Sequence, residues 1–288
     1  MTELSITAHP WPNLLDALVL CESLQRLTIS VDGKVAKWAH ERTSRLTLQV
    51  KFFTLVVGGQ RLTLAYAGAL LNSLNMPAAT TMRLVRWTGD RGTWPSRALV
   101  AFLARAVSLS RLEIISVPLA DGVLEKCLAT IPQLEHLHFR ALRSYETARP
   151  GVDGFLVNNS VAASFLRALE VTSSPGRQKK AKGPILPNLT SLTLQDPFGD
   201  FNPQSVLYMI NSRLAHTAPG GTRITALRHL VLHSSHPPKH DSSDPEHLSN
   251  LRWLETVKTQ LPEGLDLTIS CPSNYSEVRD DSEHVIIP

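Results

Sequence analysis

Hydrophobic residues along this chain return in one phrase: leucine, two residues, leucine, one residue, then an aliphatic or aromatic residue. It reads Leu24-Leu27-Ile29, Leu109-Leu112-Ile114, Leu134-Leu137-Phe139, Leu166-Leu169-Val171, Leu189-Leu192-Leu194 and Leu227-Leu230-Leu232. Shorter copies stand at Leu46-Leu48, Leu62-Leu64 and Leu265-Leu267-Ile269, and a weak one at Met82-Leu84. The end of each phrase alternates with period two, which predicts a strand with one apolar face. So short a unit cannot bury its own leucines and must stack on its neighbours. The expectation is that Leu27, Ile29, Leu112, Ile114, Leu137, Phe139, Leu169, Val171, Leu192, Leu194, Leu230 and Leu232 are all buried, in parallel strands of one sheet.

Helical spacing fills the gaps between phrases. Ser96–Leu109 places Leu99, Phe102, Leu103, Ala106 and Val107 on one face. Asp121 can cap a helix carrying Leu124, Cys127, Leu128 and Ile131, which Pro132 ends. Asn202-Pro203 suits the cap and first turn of a helix with Val206, Leu207, Ile210 and Leu214 inward. Residues 248–261 carry Leu248, Leu251, Leu254, Val257 and Leu261 at the same spacing. Strand then helix, about 27 residues per unit, predicts an α/β fold: an irregular leucine-rich-repeat solenoid with parallel strands on the concave side and helices on the convex side. One such solenoid should cover 1–271, with loop insertions near 144–157, 173–187 and 234–247 and a polar tail over 272–288.

Composition narrows the class. In 288 residues the hydrophobic share of 43% and charged share of 19% fit an ordered chain. The net charge of +4 suggests nucleic acid at first. The excess sits in Arg177, Lys179, Lys180 and Lys182; without them the basic residues equal the 25 acidic ones. Nucleic acid is therefore not the expected partner, although weak association through 177–182 is a minor alternative. Three distant cysteines, Cys21, Cys127 and Cys271, point to a reducing compartment. No secretory leader or membrane span is read from the sequence, so a cytoplasmic location is expected, or a nuclear one if the basic segment serves as an import signal.

The blocks SLQRLTIS (23–30), LSRLEII (109–115), IPQLEHLHF (131–139), LPNLTSLTLQD (186–196) and TALRHLVLHSS (225–235) resemble the repeat region of fungal F-box/leucine-rich-repeat proteins. The order of helix, proline and strand around Ile131-Pro132 and Leu186-Pro187 is similar to theirs. In that family the F-box recruits a ubiquitin-ligase scaffold and the repeats hold the substrate. No F-box is recognisable here, so the resemblance implies substrate recognition and does not imply a ubiquitin-ligase adaptor as partner. The usual repeat asparagine or cysteine is replaced by Asp32, Val117, Leu142, Ser174 and Pro197, so the turns must be satisfied in another way.

The chain lacks G-x-S-x-G, H-E-x-x-H, G-x-x-x-x-G-K and EF-hand spacings, which argues for a non-enzymatic protein without cofactors. His233, His236, His240 and His247 could ligate a metal, but their segment is proline-rich and reads as a solvated loop. Trp87 and Trp94 flank a Gly-Asp-Arg-Gly turn and could form a lip, though burial under a loop is the commoner fate. The expected function is protein-protein recognition by an unidentified partner. The second reading is a purely structural or truncated repeat protein with no selected partner. Residues between the strand anchors point away from the leucines. This places Arg26, Arg111, Glu113, His136, His138, Arg140, Glu170, Gln195, His229 and His233 on one concave binding strip, along with Ile115. His136, His138, His229 and His233 would make binding pH-sensitive near the unperturbed value of about 6.5.

Overall fold

A computed structural model describes residues 2–8, 14–31, 45–58, 61–86, 94–117, 119, 122–140, 165–171, 185–195, 202–214, 224–233 and 245–270. Among these, nine strands form one sheet in which every pair is parallel. They are β1 (Glu3–Ala8), β2 (Arg26–Val31), β4 (Phe52–Val57), β6 (Thr81–Arg86), β7 (Arg111–Ile115), β8 (His136–Arg140), β9 (Ser191–Gln195), β10 (His229–His233) and β11 (Asp266–Ser270). Two short strands, β3 (Leu46–Thr47) and β5 (Leu74–Asn75), pair separately. The nine strands lie side by side in chain order. The helices are α1 (Leu14–Val19), α2 (Arg61–Ser73), α3 (Ser96–Leu103), α4 (Val123–Ala129), α5 (165–169), α6 (Pro203–Leu214) and α7 (Pro245–Gln260). The protein is thus a mixed α/β fold built on a large parallel sheet.

A recurring turn explains the leucine phrase. The N–H of Leu24 donates to the carbonyl of Cys21, that of Ala79 to Met76, Leu109 to Ala106, Leu134 to Ile131 and Leu189 to Leu186. Each turn thus puts two residues between two inward-facing ones. Pro77, Pro132 and Pro187 occupy the second place, where their fixed φ suits the turn. Val107 holds that place in its own turn and is 66% exposed, which corrects its expected place on the apolar face of the preceding helix. That helix ends at Leu103.

Seven of the nine strands, β2, β4 and β6 to β10, then begin on a shared carbonyl. Gln25 and Arg26 both donate to Thr2, Lys51 and Phe52 to Gln25, Thr80 and Thr81 to Lys51, and Ser110 and Arg111 to Thr80. Glu135 and His136 donate to Ser110, Thr190 and Ser191 to Glu135, and Arg228 and His229 to Thr190. One carbonyl with two lone pairs locks one neighbour to the next and fixes the register. Lys51 and Thr80 are 29 residues apart and Thr80 and Ser110 are 30. Glu135 and Thr190 are 55 apart, about two of the roughly 20–29-residue units expected.

That long interval holds the main correction. Leu166 and Leu169 are buried as expected, but they lie in α5, and Val171 follows it outside the sheet. The Val171 N–H donates to Ser212 Oγ of α6 at 3.0 Å, where a strand would have met a neighbouring strand. The other ten anchors are buried in the sheet. Two further expectations fail. Leu62-Leu64 lies in α2, which buries Leu64, Ala67, Leu70 and Leu71 at helical spacing. Leu46-Leu48 supplies only β3, outside the main sheet. Two strands carry no leucine phrase: β1, and β4 with Phe53, Leu55 and Val57 buried.

Two arginines on the helix side bind backbone carbonyls of neighbouring elements. Arg105 donates to the carbonyls of Ala101 (2.7 Å), Leu71 (2.8 Å) and Leu74 (3.0 Å), closing the C-terminal end of α2. Arg213, wholly buried in α6, donates to Leu169 (2.8 Å), to Ile185 (3.4 Å) and to Leu186. It ties α5, the 185–187 turn and α6 together. Leu186 has φ 56°, a conformation that costs of order 1–3 kcal/mol outside glycine and persists only when its surroundings impose it. Here the buried leucine side chain and the Arg213 donor hold it.

Asn202 caps α6 through the Gln204 N–H to its Oδ1 at 2.8 Å, as its pairing with Pro203 predicts. Cys127 is buried in α4, and burial pushes its thiol up to about 12. The tail 272–288, the 144–157 segment, 173–184, 234–244, Asp121, Trp87 and Cys271 lie outside the described residues. Ile185 and Leu186 pack into the core, and α7 begins at Pro245. No helix among the described residues is long and apolar enough to cross a membrane.

Candidate functional site

Strict alternation divides the sheet into a leucine face and a polar face. Strands β2, β8, β9 and β10 each alternate fully buried positions with half-buried or exposed ones. Because the register never slips, the polar positions form three rows across the sheet. The first row carries Arg26, Arg111, His136 and His229; the second, Glu113 and His138; the third, Arg140, Gln195 and His233. Nine of the ten candidate residues therefore share one face.

Glu170 does not. It follows α5 and lines a shallow cleft of about 420 Å³ with Gln204, Ser205, Leu207, Tyr208, Asn211 and Gln260, on the side of α6 and α7. Burial raises its carboxyl above the usual range, against the opposing pull of Arg167. Its displacement follows from the misread phrase at Leu166-Leu169: a residue after a helix has no strand parity. Ile115 has the expected parity but is buried, next to the equally buried Val85 in register.

The centre of the polar face is a charged cluster. Glu113 accepts from Arg111 Nε at 3.1 Å and lies 3.0 Å from Arg111 Nη2, both through Oε1. Its Oε2 is 3.4 Å from Arg83 Nε, on the strand directly opposite. Only 15% of the Glu113 side chain is exposed, against 56% for Arg111 and 43% for Arg83. His138, facing Glu113 in register, places Nε2 3.2 Å from Gln195 Oε1, while its Nδ1 stays 4.0 Å from Glu113. Burial lowers the His138 pKa, and Arg83 and His233 add to this; Glu113 and the Gln195 hydrogen bond work against it. His138 thus presents a neutral imidazole at neutral pH. This corrects the expectation that all four histidines titrate near 6.5.

Towards the edges the pairing loosens. Arg26 lies 4.7 Å over the Phe52 ring and 3.9 Å from Glu3. His229 Nδ1 is 3.2 Å from Asp266 Oδ2, both groups being more than half exposed. Arg83, Glu3, Phe52 and Asp266 escaped the sequence reading. Arg83 was within reach of it, because Thr81-Met82-Arg83-Leu84 alternates like the stronger phrases.

Such a face can pair charges and exchange hydrogen bonds with a polar chain laid across it. Trp94 is buried and forms no lip. His233 sits on the sheet, while His236 and His240 lie outside the described residues. Among the described residues no three His, Cys, Asp or Glu side chains gather as a metal site. No family model and no curated protein matches this chain.

Proposed function

We propose that the chain is an irregular leucine-rich-repeat solenoid whose polar sheet face recognises a protein partner without catalysis. On this reading it resembles the substrate-recognition half of an F-box receptor. The observation that carries the reading is the unbroken register of nine strands, seven of them started by the same shared carbonyl. That repetition builds a broad polar face with the helices packed behind the leucines. The mixture of Arg, His, Glu and small hydroxyl groups suits a protein surface better than an apolar ligand.

The test reverses charge at Arg111 and Arg140, and separately replaces His136, His138, His229 and His233 by Gln. Partner capture from lysate is then compared between pH 6 and 8 for variants that keep the wild-type circular dichroism. Charge reversal should remove the bands retained by the native chain. Unchanged capture by every variant would exclude this face as the interface. A parallel pull-down with a purified ubiquitin-ligase adaptor separates an assembled receptor, which binds it, from a free scaffold, which does not.

A further inference from the structure

We propose that the Arg83–Glu113–Arg111 cluster on β6 and β7 is a receptor for carboxylates, and that the partner presents an acidic, Asp/Glu-rich segment to it. The inference rests on the polar face being the recognition surface and adds the chemistry of what binds there. On the polar face of β6 and β7 two arginines, Arg83 and Arg111, meet one strand carboxylate, Glu113. The acidic residues Glu3 and Asp266 lie on the edge strands β1 and β11. At about 4.8 Å between strands they are roughly 14–24 Å from the cluster, beyond the Debye length of about 8 Å at physiological salt. They do not neutralise the centre, and His138 is held neutral there.

The geometry also supplies preorganisation. Glu113, mostly buried, hydrogen-bonds Arg111 through one oxygen and lies at ion-pair distance from Arg83 through the other. Arg111 turns its Nε and one terminal nitrogen inward, so its other terminal amine faces away from Glu113. Two half-exposed guanidinium groups thus stand side by side, that of Arg111 held by the hydrogen bond to Glu113 and that of Arg83 by charge alone. Guanidinium forks match carboxylates in shape and charge. Glu113 also repels an incoming acid, so it sets the position of the arginines while limiting their affinity.

The probe is a fluorescein-labelled deca-glutamate peptide, with deca-glutamine as the neutral control, titrated into the full chain at 150 mM salt. Deca-glutamate should bind and deca-glutamine should not. Replacing Arg83 and Arg111 together by Gln should weaken binding at least tenfold. Glu113→Gln should tighten it about threefold, an opposite change that unfolding could not produce. Replacing Arg177, Lys179, Lys180 and Lys182 by Ser should leave binding unchanged; loss of binding there would overturn the proposal, as would indifference to Arg83 and Arg111. A phosphoserine peptide without carboxylates that binds tighter than deca-glutamate would overturn it in favour of a phosphate. If partner capture depends on Arg111 and Arg140 while deca-glutamate fails to bind, the acidic ligand falls and the recognition face stands. If deca-glutamate binds through Arg83 and Arg111 while capture survives charge reversal, the carboxylate receptor stands and the wider reading falls.

Discussion

On the helix side of the sheet, Arg105 and Arg213 turn their guanidinium groups onto backbone carbonyls. On the open side, Arg83 and Arg111 meet across Glu113 and keep much of their surface in solvent. Burial lowers the pKa of both helix-side arginines, with Arg45 adding to the effect at Arg105, and Arg213 is pushed down to about 10. The same residue type thus serves two ends. Behind the leucines it donates to backbone carbonyls and ties neighbouring elements together. In front of them it offers charge to a partner. Truncation on the two sides should therefore have different consequences, one in stability and the other in binding.

The largest expected effect is at Arg213. Arg213→Ala leaves the carbonyls of Leu169 and Leu186 without this donor in the core and opens a cavity, at a cost of about 3–5 kcal/mol in urea denaturation. A loss below about 1 kcal/mol would mean that the guanidinium is not a fastener. Leu137→Ala or Leu192→Ala should cost about 2–5 kcal/mol, since both side chains are buried within the stack. Arg105→Ala, less deeply buried, should cost about 1–3 kcal/mol.

Arg111→Gln should change stability by less than about 1 kcal/mol, because exposed ion pairs contribute little. If it destabilised the protein as much as Arg213→Ala, the distinction between the two sides would collapse. The smallest effect concerns pH. His138 has a folded pKa below its unfolded value of 6.5, so the unfolded chain takes up the proton first. Stability should fall as pH drops through 6.5 towards the folded value, and His138→Gln should flatten that slope. Identical slopes between pH 7 and 5 would show that His138 is not held neutral by the fold.

The fold was legible where a turn preceded the leucines. Ile131-Pro132-Gln133-Leu134 states both the turn and the strand that follows, and the parity of Leu137 and Phe139 then fixes which side chains face the helices. A leucine pair three residues apart is ambiguous without that context, because the same spacing makes a helix face. Leu166 and Leu169 fit either template, and the helix prevails. Strand β4 was hidden for the opposite reason: Phe52–Val57 is apolar on both parities and contains no leucine pair. Most of the central cluster was readable, since Arg111, Glu113, His138 and Gln195 all follow from parity. The missing member, Arg83, sits between Met82 and Leu84, in the weakest copy of the phrase. The Arg105 and Arg213 fasteners were beyond reach, because most of their carbonyl partners lie 27–44 residues away in other elements or turns.

The difference between the two sides can be tested directly with a photoreactive amino acid placed at Thr193 or at Tyr208. Thr193 stands in the middle row of the polar face on β9, in register with His138. Tyr208, 64% exposed on α6, looks out from the helix side. After irradiation with the labelled deca-glutamate peptide, the account predicts a cross-linked adduct from position 193 and none from position 208. An adduct confined to position 208 would contradict it and move recognition to the cleft beside Glu170.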